Sequence, residues 1–457
     1  MPPLSRGPLI GLFSLICLVL GNMIGVGVYV GSYYSLLSLK DARLVLLVWL
    51  IGGLHAVCGA IAYGAIANRL PVSGGEYSYL TRCVHPAVGF IAGWISIIAG
   101  FTAPIAATAL LLGKYLGGAD SAITSVKLIA TGSIVFVAFL HGCHLKVGAW
   151  FNNVVIAIKF LCFAVFLIVG LPFVMQGNNT GLLVDAASST NESPSLGIRL
   201  LESSTLVQMV VSLFYISLAY TGFNASIYLA GEIEGPNTNP ANSRNLVSRS
   251  MLIASVLVVV LYLLLNYVFL FGMSPERIAK AGESYVADVA QNIGGSWLSG
   301  LVRTAIVLSA ATSILAMMAI GPMVYAQMAE DGRMPKLFRI SDQVPRTAIV
   351  AQGLLSIVVV WVSQIEGIVK YLGLTLTACG ALAVSSVWIA RKFMGEQSPI
   401  QWYEHVAASI YVGVAIVLLL VAGSLERERI SFFLCIGTFA LGLLAYGIAN
   451  LGTRTLD

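Results

Sequence analysis

One lysine, Lys159, stands inside an apolar run, between Ile156-Ala157-Ile158 and Phe160-Leu161-Cys162. An ammonium at the centre of a bilayer costs about 2.5–3.5 kcal/mol on insertion scales, so a group placed there is read first as functional. Lys146 and Pro172 lie near the two ends of the run, too far for the side chain to snorkel easily to either surface. Two roles fit. Lys159 is a coupling or substrate-sensing group that exchanges a proton, or it is a structural ammonium bonded to backbone carbonyls that a broken helix has released.

Such a break is expected at Gly21-Asn22-Met23-Ile24-Gly25-Val26-Gly27-Val28. Each glycine there costs about 1 kcal/mol against alanine in a helix interior. Gly21-x-x-x-Gly25 also fits close packing through small residues. The cluster beside Asn22 points instead to an unwound stretch, which a bilayer tolerates only where it lines a cavity or is buried in protein. Leu218-Ala219-Tyr220-Thr221-Gly222-Phe223-Asn224 is a second candidate break. Paired interruptions in corresponding positions of two halves mark a transporter site. Unpaired N–H groups at a half-helix N-terminus suit a carboxylate, and unpaired carbonyls at the opposing end suit an ammonium. Together they would receive a zwitterion such as an α-amino acid.

The elements that hold these stretches are membrane spans. Of the 457 residues, 58% are hydrophobic and 10% charged, against about 25% charged in soluble domains. Polar punctuation divides the chain into twelve expected helices, at approximately 8–38, 43–68, 84–116, 122–142, 146–173, 204–231, 245–273, 296–329, 346–364, 366–392, 402–424 and 429–450. The fold class is therefore all-α integral membrane protein, since helices satisfy their own backbone in lipid. Five helices begin with the first break and five with the second, which gives units at 1–203 and 204–395, followed by 396–457. The long connection 176–202 reads as an exposed polar loop with two glycosylation-type patterns at Asn178 and Asn191. Asn224-Ala225-Ser226 matches that pattern inside a span, which shows how little it decides. Ser274–Gly295 has room for a short amphipathic helix capping one face. Lys and Arg are nearly balanced between the two sides, so charge only leans toward an inner amino terminus, through Arg333, Lys336, Arg339 and Arg346.

Other classes lack support. The net charge of +5 is dispersed, with no basic run interleaved with aromatics, so no nucleic-acid surface is expected. The seven cysteines show no metal-ligand spacing and mostly fall in apolar blocks. His141, Cys143 and His144 lack further partners, so no metal or other cofactor is expected. His55 reads as a packing residue, and no acid pair or Ser/His set lies at membrane depth for a hydrolase. A nutrient sensor on a transporter scaffold would usually carry a soluble output domain, for which little chain remains after Asn450. No Asp or Glu falls in the middle of a predicted span, which favours a neutral over a cationic amino acid.

Four motifs in order resemble the amino acid–polyamine–organocation superfamily, particularly its permeases and light-chain-type amino acid transporters. They are Gly21–Tyr29, Pro71-Val72-Ser73-Gly74-Gly75-Glu76-Tyr77, Ala219–Asn224 followed by Gly231-Glu232-Ile233-Glu234-Gly235-Pro236, and Gly321-Pro322 with Asp331-Gly332 and Pro335. The resemblance covers most of the chain. It implies the fold of the bacterial leucine transporter: two inverted five-helix repeats plus two extra helices, working by alternating access, with a cytoplasmic amino terminus in the plasma membrane (the inner membrane in a bacterium). It implies that Gly25, Val26 and Gly27, beside Ile24, hold the substrate carboxylate, while Met23, Leu218, Ala219 and Thr221 offer carbonyls to the amine around Gly222. It further implies that Lys159 stands where sodium-coupled relatives hold a cation, and that Ser313 lines the same cavity.

The chain also departs from the pattern. Val26 replaces a serine. Leu218 replaces an aromatic gate, a role open to Tyr220 or Phe223. Met323 and Glu330 replace arginines at the cytoplasmic end. The connection Gly117–Ser125 has no cysteine for a disulfide-linked heavy chain, so a stand-alone protein is expected. The expected activity is transport of neutral amino acids, proton-coupled or by exchange. A sodium symporter, which Lys159 opposes, and a cationic amino acid or polyamine permease are the alternatives.

Overall fold

The computed structural model describes residues 11–25, 27–70, 72, 74–118, 121–143, 145–177, 203–232, 240–340, 345–363, 365–389, 399–426 and 429–454. Among these the regular elements are all helical. They are α1 (Leu12–Met23), α2 (Gly27–Leu39), α3 (Ala42–Arg69), α4 (Gly75–Cys83), α5 (Pro86–Ile95), α6 (Ala103–Gly117), α7 (Ile123–Cys143), α8 (Leu145–Met175), α9 (Ser203–Ala219), α10 (Pro240–Phe271), α11 (Pro275–Ala281), α12 (Tyr285–Glu330), α13 (Arg346–Val362), α14 (Ile365–Ile389), α15 (Trp402–Ser424) and α16 (Arg429–Arg454). A π-helical stretch, Ser96–Thr102, joins α5 to α6, and a 3-10 helix, Ala225–Glu232, follows α9.

Nine helices among the described residues are long and apolar enough to cross a bilayer. The pair α1–α2, bent by 40° at its break, makes a tenth, and α9 and α13 are shorter apolar helices. The polarity is distributed as lipid demands. Leu54, Phe139, Ile168, Val260, Leu420 and Ile448 are exposed on the outside, while Ser32, Ser309, Thr312 and Asn266 are buried within. Buried hydroxyls find partners there. Tyr29 Oη pairs with Ser309 Oγ at 2.7 Å, Trp49 Nε1 donates to Ser32 Oγ at 2.7 Å, and Ser32 in turn donates to Asn266 Oδ1.

The connection 274–295 carries more helix than its mixed composition indicated. It contains α11 and the first part of α12, which kinks at Gly295 (φ 70°, ψ −162°) before the apolar portion. Pro322 lies inside the same helix. Proline removes a ladder hydrogen bond, and Gln352 Nε2 reaches across from α13 to Met317 O, 3.1 Å away, beside the gap.

One ion pair ties distant parts of the chain at the end of α3. Arg69 is bidentate to Glu404 at the start of α15, at 2.8 and 3.3 Å, and both side chains are nearly inaccessible. Glu404 also caps its own helix through Gln401 N. Breaking a buried pair on one side strands the other charge, at a cost of about 3–5 kcal/mol, whereas replacing both with apolar residues is often neutral. Arg69→Ala is therefore expected to lower the thermal midpoint sharply, and Arg69→Met with Glu404→Leu to restore most of it. A thermal-shift series in detergent checks this, and equal losses in the single and double variants would count against it.

Candidate functional site

Both expected interruptions are present. In the first span the helix ends at Met23 and resumes at Gly27, and between them Gly25 N–H turns back onto Met23 O at 2.9 Å. Val26 lies outside the described residues. At the second expected break, α9 stops at Ala219, and the chain passes through a turn at 220–224 and continues as the 3-10 helix. Gly222 adopts φ +94°, a conformation that side chains resist. A Cβ there would also sit 2.7 Å from Asn22 Nδ2, so the second break is folded against the first. Gly27 approaches α9 more closely still, for its absent Cβ would lie 2.4 Å from Ala219 Cα.

A cavity of about 120 Å³ opens where the breaks meet. Met23, Gly25, Gly27, Leu218, Tyr220, Thr221, Gly222, Phe223 and Ser313 all line it. Ile24, Ala219 and Lys159 do not. They stand behind the wall. Lys159 is fully buried, and its Nζ lies 3.3 Å from both Ile24 O and Thr312 Oγ1, so it grips the back of the first break. Ser313 Oγ reaches the same Ile24 carbonyl from α12 at 3.4 Å. Tyr262, buried on α10, joins the two breaks, with its hydroxyl 2.9 Å from Met23 O and 3.2 Å from Ala219 O.

These contacts qualify the expectation of unpaired backbone. Gly25 N–H is engaged by Met23, so free N–H groups must come from the first turn of α2, where no preceding helical carbonyl is available. Leu218 O accepts both Thr221 N–H, at 3.1 Å, and Thr221 Oγ1, at 2.7 Å. Its carbonyl is thereby filled, because an sp² oxygen has two lone pairs.

Several cavity residues escaped the sequence reading. His55 lines the cavity and stacks on Tyr411, with ring centroids 4.2 Å apart. It packs, as expected, yet it also faces the interior. Tyr63, Tyr228 and Tyr411 were hidden among apolar neighbours. The largest correction concerns Glu76. Gly74-Gly75 looked like loop punctuation, but their positive φ values of 98° and 61° turn the chain directly into α4. That turn buries Glu76 in the cavity wall, where it accepts from Tyr63 Oη and from Asn224 Nδ2 at 3.1 Å. Spans without acids do not make a cavity without an acid. The argument for a neutral substrate loses that premise.

Tyr262→Phe removes one hydroxyl, which takes that donor from Ala219 O and leaves Met23 O with Gly25 N–H alone. An unsatisfied buried polar group costs about 1–3 kcal/mol, so substrate affinity is expected to fall by about fivefold to 150-fold on the same arithmetic. Ligand-dependent thermal stabilisation measures this directly, and unchanged stabilisation would remove Tyr262 from the site.

A multi-pass helical membrane protein whose interrupted spans meet at a cavity of mixed polar and apolar lining has the features of a membrane transporter. The chain belongs to the amino acid permease family, whose profile matches residues 10–442, and amino acid transport is the activity of that family. The resemblance to the amino acid–polyamine–organocation superfamily is upheld. The chain is 25% identical over 376 residues to the b(0,+)-type amino acid transporter 1 of Mus musculus, covering 79% of this chain and 72% of that one. It is 25% identical over 391 residues to the serine/threonine exchanger SteT of Bacillus subtilis, covering 84% and 83%. It is 24% identical over 274 residues to the large neutral amino acids transporter small subunit 2 of Homo sapiens, covering 59% and 48%.

Proposed function

We propose that this protein is a secondary transporter that carries neutral L-amino acids by alternating access, coupled to protons or as an exchanger. The observation that carries the reading is the meeting of two interrupted spans at one cavity, with Gly27 against Ala219 and Tyr262 bonded to both breaks. A zwitterion fits that junction. Its carboxylate would sit on the first turn of α2, near Gly25, Val26 and Gly27, and its ammonium would face the carbonyl ends around Met23 and Thr221, with Ala219 behind them. Tyr220 or Phe223 would close the site in place of the aromatic that Leu218 replaces.

Twelve spans arranged as two inverted repeats, 1–203 and 204–395, with 396–457 appended, are the frame on which such a site would alternate. The names of the relatives above, which include a neutral amino acid transporter and a serine/threonine exchanger, support the substrate class. We place the protein in the plasma membrane, or the inner membrane of a bacterium, with its amino terminus cytoplasmic and no disulfide-linked heavy chain. Lys159 disfavours sodium coupling, because an ammonium held at the first break repels a second cation there.

The test is uptake of labelled amino acids into proteoliposomes, with pH gradient, sodium and internal substrate varied independently. Uptake driven by a proton gradient or by internal amino acid is expected. Strict sodium dependence would overturn the assignment of Lys159, and failure to move any amino acid would overturn the reading as a whole.

A further inference from the structure

Glu76 is the one acidic side chain among the described residues that line the cavity, and no Lys or Arg lines it with Glu76. Its two oxygens are unequally served. Oε1 accepts from Tyr63 Oη on α3 and from Asn224 Nδ2 beyond the second break. Oε2 accepts from Cys379 Sγ on α14 at 3.5 Å, and a thiol is a weak donor. The Ser96 hydroxyl, on the π-helical stretch, lies beside the carboxyl and lines the same space. A carboxylate offers about four lone-pair positions, and with Ser96 also bonded to the carboxyl, the position held by the weak thiol is the one a stronger donor can take. Tyr63, Asn224 and Ser96 all hold the carboxyl and are themselves cavity wall.

We propose that Glu76 is a specificity-determining residue of this cavity, and that it selects amino acids whose side chains donate a hydrogen bond, whether hydroxyl, amide or ammonium. The proposal rests on the transporter reading given above and redraws its substrate class, from neutral side chains to hydrogen-bond donors, a side-chain ammonium included. A buried acceptor covered by an aliphatic side chain loses solvent and gains no partner, whereas a donor side chain replaces the water it displaces. Sites that hydrogen-bond a substrate group discriminate against analogues lacking it far more strongly than apolar pockets discriminate by size. Phe101, Met317, Leu372 and Leu376 supply apolar wall among neutral polar groups, so the carboxyl is the one acid in the described lining.

L-Threonine and L-valine have nearly the same shape and differ by a hydroxyl in place of a methyl. Their ratio of kcat/KM in proteoliposomes therefore reads the acceptor directly. In the wild-type protein threonine is expected to lead valine by at least about tenfold. Glu76→Met should bring the ratio to unity or below. Because Tyr63 and Asn224 lose their acceptor in that variant, Glu76→Gln is measured beside it. The amide keeps the shape and leaves its one carbonyl oxygen to Tyr63 and Asn224, so its NH2 takes the place of Oε2 and the ratio should again approach unity while the protein keeps its fold. Competition by L-lysine should weaken by at least tenfold, since charge-assisted bonds are roughly twice as strong as neutral ones. Valine leading threonine in the wild type would overturn the proposal. So would an equal fall in both rates with the ratio intact, which marks Glu76 as a packing residue only. Absence of all amino acid uptake in the wild type would instead refute the transporter reading first.

Discussion

Lys159→Met is expected to abolish coupled uptake, or to uncouple it from the pH gradient, while the protein remains folded. The ammonium touches two acceptors, Ile24 O and Thr312 Oγ1, and so links the unwound part of the first span to α12. Hydrogen bonds to charged groups contribute about 1.5–3 kcal/mol each, so losing the Ile24 contact alone should weaken the site by about tenfold to 150-fold. Stability should respond much less. Exchanging a buried charge for an apolar side chain of similar volume removes a desolvation cost along with the bonds. The two quantities separate cleanly by measuring thermal midpoint and pH-driven uptake on one preparation. Unchanged pH-dependent uptake would exclude a coupling role. A collapsed midpoint would favour the structural ammonium.

Gly27→Ala should eliminate transport for a steric reason. The added methyl would stand 2.4 Å from Ala219 Cα, 2.7 Å from Ala219 Cβ and 2.8 Å from Ala219 N. Two of those atoms are backbone and cannot rotate aside. Overpacking that can be absorbed costs about 1–3 kcal/mol, and this contact must instead push the two breaks apart. Gly25→Ala is the informative control, because its methyl meets only Ser313 Oγ, at 3.0 Å, which can turn away. The Gly27 variant should lose both thermal stability and ligand binding, whereas Gly25→Ala should keep its fold and Gly25→Leu should obstruct the cavity. Transport by Gly27→Ala near the wild-type rate would mean that the breaks do not meet as described.

These two residues also show what could be read from the chain alone. The first break was legible because a glycine cluster is costly in a membrane helix, the second through the polar stretch around Gly222, and Lys159 because charge at that depth is rarer still. Their mutual contact was not legible, for nothing local in Gly27 names Ala219 as its neighbour, 192 positions away. Glu76 was missed for a different reason. It lies in a connection, where charge is ordinary, and only the left-handed glycines before it carry the chain inward. Tyr262 lacked any signal, since a tyrosine within a leucine-rich run reads as packing until a carbonyl is found opposite its hydroxyl. The kinked helix after residue 284 merged with its connection because its first turns are too polar to count as span.

The phenol of Tyr262 carries a single proton and faces two main-chain oxygens, one from each interrupted span. It can satisfy either fully or both poorly, as one O–H is one donor. An amine bound at Met23 O, on the cavity side, would take the tyrosine's place there and leave the hydroxyl to Ala219 O behind the wall. Occupancy of the site would then decide which half of the molecule the tyrosine anchors, so that a shared proton, rather than any large displacement, is where loading first registers.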